Sequence, residues 1–301
     1  MKEIHSSFVN GYPTTETPSD VFVNWGKEFG IKIHPSGLVL PENRSINSYK
    51  VVGTFNDLSQ KIEDQRRQSK HIVLLPGSYD GVHVGHLSFV VQAKEEYMRQ
   101  WNDTYLDSPI GRSDMFVVAV LDGDQLTSEV KENTYLKVTG KKGPIEHIDQ
   151  RVAAMAELPI DLVGVAQSPN ELELPAPTEL MHNNIQAPDS VLNAIRDFTA
   201  FKADFERQNL GFDKSWWSIE LWQMYLLSSL NKSELNGVVF PTQITRVLSK
   251  DEHKYYNEVS AIMKLCGINV MELDDVFCVS TKQIVERIGV EELIRIKRGY
   301  E

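Results

Sequence analysis

The chain has 301 residues, enough to bury a substantial core in one elaborated domain or two modest ones. An apolar fraction of 41% and a charged fraction of 24% lie in the ordinary range of folded globular proteins and exclude a fibrous or wholly disordered chain. The formal net charge is -11, with no block of Lys and Arg, so extended contact with a phosphate backbone is electrostatically opposed and nucleic acid is not an expected partner. Met1 to Ser7 lacks the cationic cluster and apolar stretch of a secretory signal, and no segment stays apolar long enough to span a bilayer. A cytoplasmic location with no membrane partner is the expectation. Cys266 and Cys278 sit in no CxxC or Cys/His ligand spacing and are expected to be reduced core residues.

In chain order, the first fifty residues are rich in Pro, Ser, Thr and Asn. Gly30 to His34 and Leu38 to Leu40 alternate in a way that predicts a small hairpin. Phe55, Leu58 and Ile62 recur at helical spacing between Thr54 and Gln68. His71 to Leu75 is a short apolar run suited to a strand buried on both faces. A helix from about Val84 to Arg99, a strand from Met115 to Val120, a helix near Ile148 to Glu157 and a strand from Leu162 to Val165 follow. Between Ser168 and Asn236 the pattern changes to Pro-punctuated loop and two helices, about Ser190 to Arg207 and Ser215 to Ser229, the second carrying Trp216, Trp217 and Trp222. Alternation resumes with a strand at Gly237 to Phe240, a helix from Lys250 to Leu265, a strand at Ile268 to Met271 and helices from Ser280 onward. The βαβα order implies an α/β fold, a parallel sheet with helices on both faces. Residues 1–69 read as an N-terminal extension and 70–301 as the main domain, with a helical insertion at about 168–236.

The most informative segment is Gly77-Ser78-Tyr79-Asp80-Gly81-Val82-His83-Val84-Gly85-His86, because it joins a strand to a helix, the usual ligand position of an open parallel sheet. Gly77, Gly81 and Gly85 let backbone approach a bulky anion, and the first turn of the following helix is expected to offer unpaired N–H groups and a positive dipole end to phosphate. His83 and His86, three apart, fall on one face if both lie in the first helical turn, where imidazoles can donate to phosphate oxygens as charge builds on them. A second segment, Val279 to Ile288, carries Ser280 or Thr281 as N-cap of a helix, a terminus able to hold the β- and γ-phosphates of a triphosphate, with Arg287 about one and a half turns further on.

The first segment resembles the GxFDxxHxGH signature, and the second the ISTSxIxxRI segment, of the cytidylyltransferase-like nucleotidyltransferases, which include enzymes making CDP-glycerol, CDP-ethanolamine and ADP-heptose. Tyr79 stands where that family usually has Phe. The resemblance runs from Lys70 to Arg287, interrupted by the insertion, and implies a Rossmann-like doubly wound sheet. It also implies transfer of CMP or AMP from a nucleoside triphosphate to a small phosphorylated acceptor, a sugar or alcohol phosphate, with release of pyrophosphate. In that scheme His83, His86 and Lys141 are catalytic. Gly77, Ser78, Tyr79, Asp80, Gly85, Asp122, Asp124, Ser280, Thr281 and Arg287 bind the nucleotide, Lys142 and Arg151 bind the acceptor, and Asp124 holds Mg2+. Asp122-Gly123-Asp124 follows the second strand, where the family carries an acidic residue, although loop carboxylates also serve as plain turn formers. Lys137, Lys141 and Lys142 before Gly143-Pro144, with Arg151 beyond, resemble the family's KGxxRP stretch, Gly143 replacing the expected Arg. The family's habit also implies a homodimer.

Two rival readings stand beside this one. A His-x-Gly-His loop also opens the site of class I aminoacyl-tRNA synthetases, and Val247-Leu248-Ser249-Lys250 faintly resembles their KMSKS loop, against which stand the short chain and its acidic balance. A non-catalytic nucleotide-binding regulatory protein on the same fold would keep the phosphate-binding residues and lose turnover.

Overall fold

Five consecutive residues of the run His71 to Leu75 are buried, and strands covered on both faces are the building material of parallel sheets. The computed structural model describes residues 8–9, 12–13, 26–27, 29–40, 50–52, 55–125, 127–128, 140, 143–166, 234–235, 238–239, 244–249, 269–273 and 281–298. Short strands β1 (Phe8–Val9) and β2 (Tyr12–Pro13) pair with each other, and β3 (Lys32–Ile33) and β4 (Val39–Leu40) form the predicted hairpin. They are followed by α1 (Phe55–Arg67), β5 (His71–Gly77), α2 (Val84–Thr104), β6 (Met115–Asp122), α3 (Ile148–Ala156) and β7 (Leu162–Ala166). Later come β8 (Glu234–Leu235), β9 (Val238–Val239), β10 (Thr245–Ser249), β11 (Asn269–Leu273), α4 (Thr281–Ile288) and α5 (Val290–Arg298).

The central sheet has the order β11-β10-β5-β6-β7, every neighbouring pair parallel. From β5 the chain winds outward through β6 and β7, then returns to β5's other side with β10 and β11, so the winding reverses between β5 and β10. In such sheets ligands bind outside the carboxyl ends of the strands at that reversal. Helices cover both faces: Val163 packs in the cluster formed with α2 and α3, whereas its neighbour Gly164, pointing the other way, lies under Leu58 of α1. A Cβ on Gly164 would come within 2.8 Å of Leu58 Cδ2, which accounts for glycine in the middle of a buried strand. This is the expected α/β, Rossmann-like doubly wound architecture.

Residues 31–40, read from sequence as part of an extension without chemistry, contribute Ile31, Ile33, Leu38, Val39 and Leu40 to the same core as β5, α2 and β6. Backbone bonds fix the hairpin against the β5–α2 loop: Val39 N–H donates to Val82 O at 2.9 Å and Val84 N–H to Gly37 O at 2.9 Å. Residues 50–52 run beside β7, Val163 N–H donating to Lys50 O at 2.7 Å and Val52 N–H to Val163 O at 3.0 Å.

One strand differs from expectation. Val238–Val239, anticipated as the return to the parallel sheet, pairs antiparallel with Glu234–Leu235, and the strand that joins β5 is Thr245–Ser249. The sequence carried the reason, since Asn236-Gly237 between the two short runs is a strong hairpin dipeptide. The Val247 to Lys250 segment, offered as a synthetase-like loop, begins as an interior strand with Val247 buried. The helices expected at 190–207, 215–229 and 250–265, the three tryptophans and both cysteines lie outside the described residues. Among the described residues no helix is long and apolar enough to cross a membrane.

Candidate functional site

The β5–α2 loop lies at the carboxyl end of β5. Tyr79 adopts φ 47, a left-handed conformation that costs a bulky residue energy. Its hydroxyl donates to Leu75 O at 2.9 Å, and its ring folds back so closely that a Cβ at Gly77 would come within 3.2 Å of it. Gly77 therefore makes room for the ring. Asp80 is buried, and its carboxylate accepts the N–H groups of Ile145 at 2.8 Å and Glu146 at 2.9 Å, tying the loop to the segment before α3. Gly81 has φ 63, and a Cβ there would meet Thr281 Cγ2 at 3.2 Å.

His83 is the N-cap of α2, and the two imidazoles form a reciprocal cap. His83 Nδ1 accepts the Gly85 N–H at 3.1 Å, and His86 Nδ1 accepts the His83 N–H at 3.3 Å. A nitrogen that accepts an N–H cannot carry a proton, so each ring in its neutral form bears its proton on Nε2 and is a donor there. The rings stack, centroids 3.9 Å apart and planes at 20°, and Tyr79 meets His86 edge-on at 5.1 Å. The pair stands at the positive end of the 21-residue α2.

The same bonds correct one expectation. The first four N–H groups of α2 were to be open to phosphate, but Val84 donates to Gly37 O, Gly85 to His83 Nδ1, and His86 and Leu87 to His83 O at 2.9 and 3.2 Å. A hairpin from fifty residues upstream and an imidazole cap satisfy them, as buried donors require. Gly85 thus faces its own helix cap through its amide, and none of these four amides is left open.

Asp124 and Arg151 are also placed differently from their assigned roles. Arg151 is fully buried, and its Nη1 donates to Ser78 O at 2.5 Å, Asp122 O at 2.8 Å and Thr127 Oγ1 at 3.2 Å. Its Nη2 donates to Asp124 Oδ1 at 2.6 Å, while His147 Nε2 lies 3.0 Å from Asp124 Oδ2. A carboxylate holding a guanidinium on one oxygen and an imidazole on the other does not fit a Mg2+ ligand, and among the described residues no cluster of three or more His, Cys, Asp or Glu could hold a metal ion. Nor does Arg151 reach out to an acceptor. It is a buried brace between the carboxyl ends of β5 and β6, its planar fork donating to the carbonyls of Ser78 and Asp122. Asp122 is buried at the end of β6. The Ser78 hydroxyl is buried with no hydrogen-bond partner among the described residues.

The second motif does meet the first. Thr281, the first residue of α4, donates its hydroxyl to Asp80 O at 2.5 Å, across 201 residues of sequence. Arg287, exposed on the same helix, donates to Ser36 O on the hairpin. Ser280, Lys141 and Lys142 lie outside the described residues.

Sequence reasoning missed Glu146, His147 and Lys297. Lys297, in α5, turns its side chain inward, where it pairs with Glu146 at 3.1 Å. A signal existed: Lys297 follows Leu293 by four residues and so occupies an apolar-stripe position, the mark of a lysine turned inward.

No protein-family model matches this chain, and no curated protein does. Among solved structures that match is the crystal structure of pantoate-β-alanine ligase from Francisella tularensis complexed with βγ-ATP and β-alanine, at 11% identity and a TM-score of 0.41. The match covers 74% of this chain and 66% of that ligase, just under two thirds of its length. The functional reading therefore rests on this chain's own residues.

Proposed function

We propose that the chain is a nucleotidyltransferase. The observation that carries this reading is the Thr281–Asp80 bond, which seats the start of the distant helix α4 against the Gly-rich loop bearing His83 and His86. Position supports it too, for the loop lies at the carboxyl end of β5, beside the reversal of strand order. The Ser78 hydroxyl, without a partner among the described residues, is a polar atom in the same loop that a phosphate oxygen would satisfy.

In the reaction, an oxygen of the acceptor's phosphate attacks the α-phosphorus of the triphosphate. The bond from that phosphorus to the β-phosphate bridging oxygen breaks, and pyrophosphate departs in line. No covalent enzyme intermediate is needed. The protein's task is to hold two anions that repel each other and to stabilise charge on the transferring group. Two neutral imidazoles with Nε2–H donors are suited to this, since the reciprocal cap fixes them before substrate arrives and nothing reorganises during the step. Thr281 is assigned to the leaving-group side, Lys141 to the catalytic step and Lys142 to binding of the acceptor. The triphosphate enters as its magnesium complex. The donated group is CMP or AMP, the acceptor a sugar or alcohol phosphate, and the enzyme a cytoplasmic homodimer.

The test is pyrophosphate release from each of the four triphosphates against a panel of acceptor phosphates. Release dependent on both substrates is expected, with turnover in His86→Ala reduced at least ~100-fold, the scale for one preorganised donor. Tight triphosphate binding with no release under any pairing would instead make the protein a regulator.

A further inference from the structure

We infer that Lys297, which no motif marks, is a positioning residue for the His83–His86 loop. Its Nζ lies 3.1 Å from Glu146 Oε1 and donates to Val39 O at 3.0 Å. Each of these partners continues into the loop. Val39 N–H donates to Val82 O, one residue before His83, and Leu38 bridges His83 itself in antiparallel fashion. On the other side, Glu146 N–H donates to Asp80 Oδ1, whose main-chain oxygen receives Thr281. One ammonium thus joins the two walls that grip residues 80–84.

Burial makes the junction a stiff one. The side chains of Lys297 and Glu146 are 6% and 4% exposed, so water does not compete for the pair. Glu146 Oε2 has no partner among the described residues, which leaves Lys297 as the countercharge seen on that carboxylate. Removing the lysine alone would strand a buried negative charge, and the resulting instability would say nothing about catalysis. Neutralising both members, Glu146→Gln with Lys297→Met, separates the two effects: the burial penalty disappears while the bond to Val39 O is still lost.

For turnover the inference rests on the nucleotidyl-transfer reading, but its second readout does not. Lys297→Met, Lys297→Arg and the double variant, all in the full chain, would be compared by thermal midpoint, by kcat and KM for pyrophosphate release, and by 15N NMR of the His83 and His86 imidazoles. The double variant is expected to melt near the wild type, to lose about 10-fold in kcat with little change in KM, and to show averaged tautomers where the wild type shows Nε2–H alone. Lys297→Arg should recover most of both signals. Wild-type imidazole spectra in the double variant would overturn the inference. Should the wild type itself release no pyrophosphate with any substrate pair, the functional reading falls. The spectra would then still decide the positioning role.

Discussion

On the proposed reading His83 has two tasks, one for each ring nitrogen. Nδ1 closes the helix cap, and the Nε2–H is assigned to the substrate's phosphates. The tasks separate by substitution, because Asn is a good N-cap without an Nε2–H. His83→Asn should keep the thermal midpoint close to the wild type and lose ~100-fold in turnover, whereas His83→Ala should lose the same turnover and about 0.5–2 kcal/mol of stability as well. Equal stability losses in the two variants, measured by urea titration, would remove the capping role. Arg151 makes the contrast at this scale, since its two Nη groups donate to protein groups. Arg151→Met should destabilise by about 1–3 kcal/mol, the cost of taking a buried donor from the Ser78 carbonyl and the guanidinium from Asp124. In urea titrations a loss under about 1 kcal/mol, the level of an exposed pair, would rule out the brace.

Among the elements, the β5–α2 loop is gripped by three segments that the chain order keeps apart: the β3–β4 hairpin, the turn before α3, and α4. Gly81 is where the last of these enters, with both a positive φ and Thr281 in contact range. Gly81→Ala should therefore cost about 1–3 kcal/mol from backbone strain and, by pushing Thr281 off Asp80 O, raise the KM for triphosphate. A variant with unchanged KM would place the phosphate end of the site elsewhere. The sequence made the loop and α4 legible separately, through glycine spacing and a Ser-Thr cap. The hairpin's part in the site was not legible, because its contribution is backbone carbonyls, which any residue carries.

Across the whole molecule, acid sensitivity follows from histidines whose pKa is lowered by burial. His71 sits under α2 with Nδ1 3.0 Å from the Tyr97 hydroxyl, and burial holds its pKa below the ordinary 6.5 despite the opposing charge of Asp114. Burial also pushes the Tyr97 phenol up to about 12, so it stays protonated at working pH. The unfolded chain takes up the His71 proton first as pH falls, so the unfolded state gains stability over a window that opens near pH 6.5 and closes below the lowered folded value. His34, lowered mainly by burial, with Arg295 adding to the effect and Glu292 opposing it, acts in the same sense. The stability difference between wild type and His71→Gln should shrink through that window, at no more than about 1.4 kcal/mol per pH unit for one proton. A difference constant from pH 7.5 to 5 in urea titrations would mean that His71 titrates alike in both states.

What the residues determined alone is the succession α1, β5, α2, β6, α3, β7 and the two motif segments, because hydrophobic period, glycine spacing and cap chemistry act within a few residues of themselves. Tertiary structure alone decided that the α2 amides are already bonded, that Asp124 belongs to Arg151 and His147, and that Lys297 meets Val39 across 258 residues. Each of those outcomes depends on which donor comes nearest a given acceptor once the sheet has closed. That choice is made by the packing of distant segments, and no local pattern of side chains encodes it.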